Sequence, residues 1–367
     1  MKIIFDNIIY SLQNSGGGSV YWTEIIKRFN ALQSSDTEII FYDQEEPNQN
    51  IFRSQLMLNN LKKESFLTLR IRRYLPFTIP INGKTIFHSS YHRISKSKNT
   101  LNITTIHDFT TEKFRKGLAR WVNLEQKRFA LKNSEGIICI SENTKNDMNE
   151  YFPFTRNKKV RVIYNGISDD FSFIKEPFEI NEVNSKFERL QNGKYFLFIG
   201  HRTKYKNFDL AVKAASLQRD KYKLVVVGEP FSDEESTLVK KFLGENYLLI
   251  SKLDNKNLNL LYNKAFALLY PSSYEGFGIP VIEGMRTHCP VIAGRNSSIP
   301  EIAGDAALLM DEISDEKISE CIDQLEDSTF REALIKKGIA QSSLFSWDKT
   351  FQEHFDFYKE IYDAKGN

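Results

Sequence analysis

The chain has 367 residues, 41% of them hydrophobic and 26% charged, and a formal net charge of +3. That length suggests two domains, and that composition suggests a folded chain rather than a disordered one. The small, dispersed charge gives no ground for a nucleic-acid partner, and no apolar run approaches the ~20 residues that cross a bilayer.

The chain opens on Met1-Lys2-Ile3-Ile4-Phe5-Asp6. Its apolar run is too short for a signal peptide and suits a first strand, Ile3–Phe5. Gly16-Gly17-Gly18-Ser19 follows, and then a helical pattern at Tyr21, Ile25, Phe29 and Leu32. Ser19 is placed to cap that helix. Three glycines let backbone approach a ligand, and the helix N-terminus favours negative charge. The same pattern also fits an ordinary glycine-rich loop.

The stretch Leu61–Pro80 mixes Lys62, Lys63, Arg70, Arg72 and Arg73 with Phe66, Leu67, Leu69, Ile71, Tyr74 and Leu75. Such a basic amphipathic segment fits either an anionic membrane surface or a solvated helix face. Further strands are expected at Thr85–Ser89, Ile103–His107, Gly136–Ser141 and Val160–Tyr164. His107-Asp108 ends the second of these. A single histidine at a strand end is more often structural than catalytic, and Asp108 either orients the imidazole or caps the next helix.

Ser168–Gly193 is polar and lacks a long apolar period, which places a domain boundary there. The expected domains are residues 1–170, 171–345 and a C-terminal helix at 346–367. A second series of strands follows at Tyr195–Ile199, Lys223–Val227, Tyr247–Ile250, Ala267–Tyr270, Val291–Ala293 and Ala307–Met310. Continuous apolar runs of this length fit strands buried on both faces, as in parallel sheets. Strand–helix alternation predicts an α/β fold of two doubly wound parallel-sheet domains facing across a cleft.

After Tyr195–Ile199 comes Gly200-His201-Arg202-Thr203-Lys204-Tyr205-Lys206-Asn207. Arg202 and Lys206 are two cations entering a helix, a pattern that serves phosphate and also occurs in solvated loops. After Ala267–Tyr270 comes Pro271-Ser272-Ser273-Tyr274-Glu275-Gly276-Phe277-Gly278-Ile279-Pro280-Val281-Ile282-Glu283. This reads as strand, turn and helix. Gly276 and Gly278 permit close approach or φ > 0, and Pro280 suits the first helical position. Glu275 and Glu283 then face one ligand from two sides, or the stretch is a plain βα connection. Trp347, Phe351, Phe355, Tyr358 and Tyr362 form one apolar stripe on the last helix. Cys139, Cys289 and Cys321 lie far apart, which suits a reducing compartment.

Glu275-Gly276-Phe277-Gly278-x-Pro280-x-x-Glu283 resembles the signature of the retaining glycosyltransferases of family 4. Leu260–Ala265, Pro290–Ala293, Ile299–Glu301 and Gly304–Ala307 resemble its flanks. The resemblance implies the GT-B fold, with two Rossmann-like domains and a last helix crossing back to the N-terminal one. It implies Glu275, His107, Arg202 and Lys206 as catalytic residues. It further implies nucleotide-sugar contacts from Gly17, Gly18, Arg202, Lys206, Leu253, Gly276, Phe277, Gly278, Ile279 and Glu283. Glu275 and His107 would face the donor sugar, Arg202 and Lys206 its diphosphate, and Glu283 the ribose.

The activity implied is hexosyl transfer with retention to a sugar or lipid-linked sugar in bacterial surface polysaccharide assembly. Tyr205-Lys206-Asn207 and Ile106-His107-Asp108 look most like the mannosyltransferase branch, favouring GDP-mannose over a UDP-hexose. No cofactor beyond this co-substrate is expected, and no metal, since there is no Asp-x-Asp motif at a strand end. The expected setting is cytoplasmic, with peripheral membrane contact through 61–80. Retention is open to a covalent intermediate or to same-face attack, and the second is favoured because no second nucleophile stands out. A nucleotide-sugar epimerase and a non-catalytic binding protein are the rival readings. One departure stands out: His288 occupies a position where the family usually has glycine before the Pro290-Val291 strand.

Overall fold

The structure is a computed structural model and describes residues 1–32, 36–45, 49–64 and 69–364, leaving out the side chains of residues 69 and 70. Two compact units emerge, one of Met1–Gly166 with Trp347–Asn367 and one of Ile167–Ser346.

The first unit holds seven parallel strands, β1 Lys2–Asp6, β2 Glu38–Gln44, β3 Leu61–Glu64, β4 Thr85–Ser89, β5 Thr100–Ile106, β6 Gly136–Cys139 and β7 Lys159–Val162. Their order is β3-β2-β1-β4-β5-β6-β7. Ile4 lies opposite Ile40 on one side and Phe87 on the other. All residues of β4, β5 and β6 are buried, as strands covered on both faces require. Sequence reasoning missed β2 and β3. The polar end of β2 is buried because Asp43 accepts from Asn7 Nδ2 at 2.8 Å and pairs with Arg53 at 2.7 Å. β3 is a short edge strand with two exposed lysines, a pattern that discourages further pairing.

Part of the basic stretch 61–80 is therefore sheet. Arg72 is buried, bonded to Gln44 at 2.9 Å and paired with Glu64 at 3.3 Å, so it is not presented to a surface. Phe66 and Leu67, with the side chains of Leu69 and Arg70, lie outside the described residues. Glu64 also takes two hydrogen bonds from buried Arg93, at 2.9 and 3.0 Å, and Arg93 reaches Asp6 at 2.9 Å. Asp6, Glu64 and Arg93 are each at most 2% exposed. Burial raises the Asp6 pKa, and Arg93 opposes that rise.

The helix Gly17–Ala31 begins one residue after Gly16, whose φ of 151° marks it as the cap. Ser19 is therefore inside the helix, and its hydroxyl donates to the Gly16 carbonyl at 2.9 Å instead of capping. The last helix, Trp347–Ala364, packs in this unit against Gly17–Ala31. Its buried face comprises Trp347, Thr350, His354, Phe357, Tyr358 and Ile361, rotated from the expected stripe. The rotation arises because two polar residues are satisfied inside. Thr350 donates to the Tyr164 carbonyl at 2.8 Å, and His354 Nε2 meets Tyr21 OH at 2.6 Å. Phe351 and Phe355 flank that face and pack on Phe29.

The second unit holds β8 Tyr195–Ile199, β9 Lys223–Val227, β10 Tyr247–Ile250, β11 Ala267–Tyr270, β12 Val291–Gly294 and β13 Leu308–Met310. They are parallel, in the order β10-β9-β8-β11-β12-β13. Phe196, Leu224, Val226, Leu269 and Ile292 share the core with residues of the flanking helices. In both units the order reverses beside the first strand, between β1 and β4 and between β8 and β11. Crevices that bind ligands open at the carboxyl ends of strands at such reversals.

His288 has φ of 63°, the left-handed region that glycine enters most easily. Its ring stacks on Phe173, with centroids 4.0 Å apart and planes 10° from parallel. That contact offsets the backbone penalty and explains how a histidine serves there.

Candidate active site

The expected site residues of the second unit sit in the connections leaving β8, β10 and β11, with Ile279 and Glu283 on the helix after β11. The β8 loop turns at Asn207, with φ of 50°. Asparagine tolerates this conformation, and its amide donates to the Pro271 carbonyl at 2.7 Å and to Ser273 Oγ at 2.8 Å. The Ser273 N–H donates to the Tyr205 carbonyl at 2.7 Å. These bonds tie the two loops that flank the strand reversal and bring Lys206 and Glu275 together.

Lys206 Nζ donates to Glu275 Oε1 and lies 3.2 Å from Tyr270 OH. Both charged side chains are largely shielded, 13% and 12% exposed. Burial pushes the Tyr270 phenol well above its usual value, and the Glu275 charge adds to that, so Tyr270 stays neutral. The Glu275 loop is braced from the next connection. Its N–H donates to Ser297 Oγ at 2.7 Å, and Ser298 Oγ donates to the Glu275 and Phe277 carbonyls at 3.0 and 2.9 Å. Sequence reasoning missed Tyr270, Ser297 and Ser298. Two serines just ahead of Ile299-Pro300-Glu301 were the available signal.

Gly278 has φ of 105°, and a Cβ there would come within 2.6 Å of Ile299 Cδ1. The backbone conformation calls for glycine, and a Cβ would in addition displace the end of the Ile299 side chain. The helix Ile279–Arg286 starts directly after it, with Pro280 second rather than first. The Phe277 side chain is buried and packs edge-on to Phe345 at 5.8 Å. Glu283 keeps some solvent exposure. Its carboxyl is nonetheless desolvated, which pushes its pKa up to about 7 although Tyr262 OH donates to it at 2.9 Å.

Arg202 is not joined to the Lys206–Glu275 pair. Its guanidinium bonds Glu235 at 2.9 and 3.1 Å and the carbonyls of Glu229 and Pro230 at 2.8 Å. One nitrogen, Nη1, is buried with no hydrogen-bond partner. A Cβ at Gly228 would sit 3.1 Å from that nitrogen, so this glycine makes room for the guanidinium. Leu253 follows β10, next to Lys252 with φ of 54°.

In the first unit, His107 directly follows β5. Burial lowers its pKa to about 4, so the imidazole is neutral near pH 7. Its ring meets the Tyr21 ring edge-on at 4.7 Å. Asp108 accepts from the Thr110 N–H at 2.9 Å at the start of the next helix, and its charge opposes the fall of the His107 pKa. Gly16 is the residue of the glycine triplet whose φ demands glycine. A Cβ at Gly17 would meet nothing within 4 Å, whereas one at Gly18 would meet the Gln13 side chain at 3.7 Å.

Two parallel-sheet units with their glycine-rich turns, cations and carboxylates at strand ends define the GT-B architecture. The chain matches the family model for glycosyl transferases group 1 over residues 180–341 and that for Glycosyltransferase Family 4 over residues 15–171. Its two halves are thus each similar to glycosyltransferase models, and the chain is family 4-like. It is 27% identical to the O-antigen chain mannosyltransferase B of Escherichia coli over 281 residues, 73% of this chain and 71% of that one. Sucrose-phosphate synthase from Thermosynechococcus elongatus shares the fold with a TM-score of 0.75, 16% identity and 99% of both chains covered. Anabaena HepE, in a structure with UDP, does so with a TM-score of 0.73 at 14% identity, covering 98% of this chain and all of that one.

Proposed function

We propose that this glycosyltransferase moves a hexosyl group, with retention and without a metal, from a nucleotide sugar to a saccharide or lipid-linked saccharide acceptor. The pathway is bacterial surface polysaccharide assembly at the cytoplasmic face of the membrane, and GDP-mannose is the favoured donor. The observation that carries this is the Lys206–Glu275 pair beside Tyr270, held at the strand reversal of the second unit. The O-antigen mannosyltransferase relative supports the mannose assignment, and UDP in HepE supports a nucleotide diphosphate ligand.

In this proposal the second unit holds the donor. Lys206 and the N–H groups of the Gly276–Ile279 turn face the diphosphate, where charge grows as the anomeric bond breaks. Arg202, fixed by Glu235, lends a second cation. Glu283 accepts from both ribose hydroxyls, which its ionised form does best with two charged oxygens. Glu275, its charge balanced by Lys206, faces the donor sugar. Neutral His107 serves as a hydrogen-bonding group for sugar hydroxyls, not as a proton-carrying acid. The bond from the anomeric carbon to the diphosphate breaks while the acceptor oxygen bonds that carbon on the same face. The acceptor proton passes to the departing phosphate oxygen.

The test is thermal stabilisation by UDP, GDP, ADP, UDP-glucose, UDP-N-acetylglucosamine and GDP-mannose, since a ligand of the native state raises its stability. A shift confined to GDP and GDP-mannose is expected. A shift with another base alone replaces the donor assignment, and no shift with any compound refutes the nucleotide-sugar site.

A further inference from the structure

The amino-terminal edge of the first sheet carries a basin that the transferase reading does not use. Thr100 opens β5, Glu135 directly precedes β6 and Lys159 opens β7. A cavity of about 830 Å³ spans these three starts, with Lys96, Lys98, Lys132, Lys158 and Lys159 and a single acid, Glu135, in its wall. His107 follows the opposite end of β5, so the basin lies roughly 20 Å from it along that strand.

The charges are not balanced within the protein. Lys159 pairs with Glu360 at 2.9 Å. Lys158 donates to the carbonyls of Lys132 and Ser134 at 2.8 and 2.9 Å, answering the negative end of the helix Leu118–Lys132. Partial burial lowers the Lys158 pKa, and Glu135 is the carboxylate that opposes the fall. Glu135 also accepts from the Asn102 N–H at 2.7 Å. Lys96, Lys98 and Lys132 remain, all exposed and in no ion pair among the described residues. The Lys96 ammonium lies 5.8 Å from the centre of the Phe129 ring, and that of Lys132 5.8 Å from the centre of the Phe154 ring. An aromatic face steers an ammonium without cancelling its charge.

Lysines on a convex face are screened one by one by water and salt. In a concavity of one sign their fields add and draw in a counter-ion. Three uncompensated ammoniums match an anion that carries about three charges on linked phosphates, since each donates strongly to phosphate oxygen. A single phosphate group reaches too few of them, and a flat surface does not enter the basin.

We propose that this basin binds a soluble oligophosphate, a chain of two or more linked phosphate groups, at the edge of the sheet opposite His107. The proposal does not rest on the transferase reading.

Isothermal titration of the full chain with inorganic tripolyphosphate at near-physiological salt tests it. Lys206→Met removes the cation of the candidate donor site, and one binding event is expected to persist in that variant. Lys96→Gln, Lys98→Gln and Lys132→Gln together should weaken this event at least about tenfold. Lys240→Gln, Lys241→Gln and Lys336→Gln together change the net charge equally and should leave it as it is. Orthophosphate should bind at least about tenfold more weakly than tripolyphosphate. All six of these lysines are exposed, and unchanged melting temperatures of the free variants check their folds. Absence of any event at that salt refutes the proposal. So does an event lost in Lys206→Met, one unmoved by the first triple change, one weakened equally by both, or one that orthophosphate matches.

Discussion

Glu283 ties nucleotide affinity to pH in a calculable way. Its carboxyl ionises near pH 7, because burial holds the proton on. If the ribose requires the carboxylate, the competent fraction is about nine-tenths at pH 8 and about one-tenth at pH 6, so affinity should fall roughly tenfold between them. Isothermal titration with an intact nucleotide sugar isolates the effect, since its esterified diphosphate does not titrate in that range. Glu283→Gln should bind more weakly at pH 8 and lose the dependence. The free protein behaves in the opposite sense. The folded pKa lies above the ordinary value of 4.5, so this group's stabilising contribution is full below that value and is lost as pH rises through about 7. Glu283→Gln should therefore be more stable than wild type at pH 8, by about 1–3 kcal/mol. A wild-type affinity that is flat from pH 6 to 8, or a slope retained in Glu283→Gln, would refute the ribose role.

Glu275→Gln should bind nucleotide as wild type does yet lose most turnover; full activity in a transfer assay would refute its role. Lys206→Met removes both the diphosphate cation and the partner of Glu275, and kcat should fall about 100-fold or more. Arg93→Met leaves Asp6 buried without its cation and Glu64 with Arg72 alone, and urea unfolding should show a loss of about 3–5 kcal/mol. Gly278→Ala forces a Cβ against Ile299 at φ of 105°, and a loss of about 2–4 kcal/mol is expected in the same assay.

The sequence exposed the sheet strands with buried, apolar faces most clearly. Thr85–Ser89, Tyr195–Ile199, Lys223–Val227, Tyr247–Ile250 and Ala267–Tyr270 have the bounds that their apolar runs suggest. β3 escaped because an edge strand with two lysines lacks that signal. The rotation of the last helix escaped because periodicity sees hydrophobic residues, whereas Thr350 and His354 are buried through hydrogen bonds to distant partners. At the site, the proximity of Glu275 and Lys206 rests on Asn207, whose left-handed turn and loop-bridging amide have no periodic signature. The position of His288 was visible as a backbone problem, but its solution, the Phe173 ring, lies more than a hundred residues away in sequence.

The last helix gives the two units different histories during synthesis. The second unit is one continuous run of chain, Ile167–Ser346. The first needs residues from both ends, since Phe357 packs at Gly136 and Tyr358 meets His88. On the ribosome, the segment made first must therefore wait with an uncovered apolar face, and with His88 holding Thr105 but lacking Tyr358, until residues 347–364 emerge, while the segment made later can finish its core ahead of it. Loss of the final helix by early termination would leave a sticky, half-built first unit attached to a finished second one.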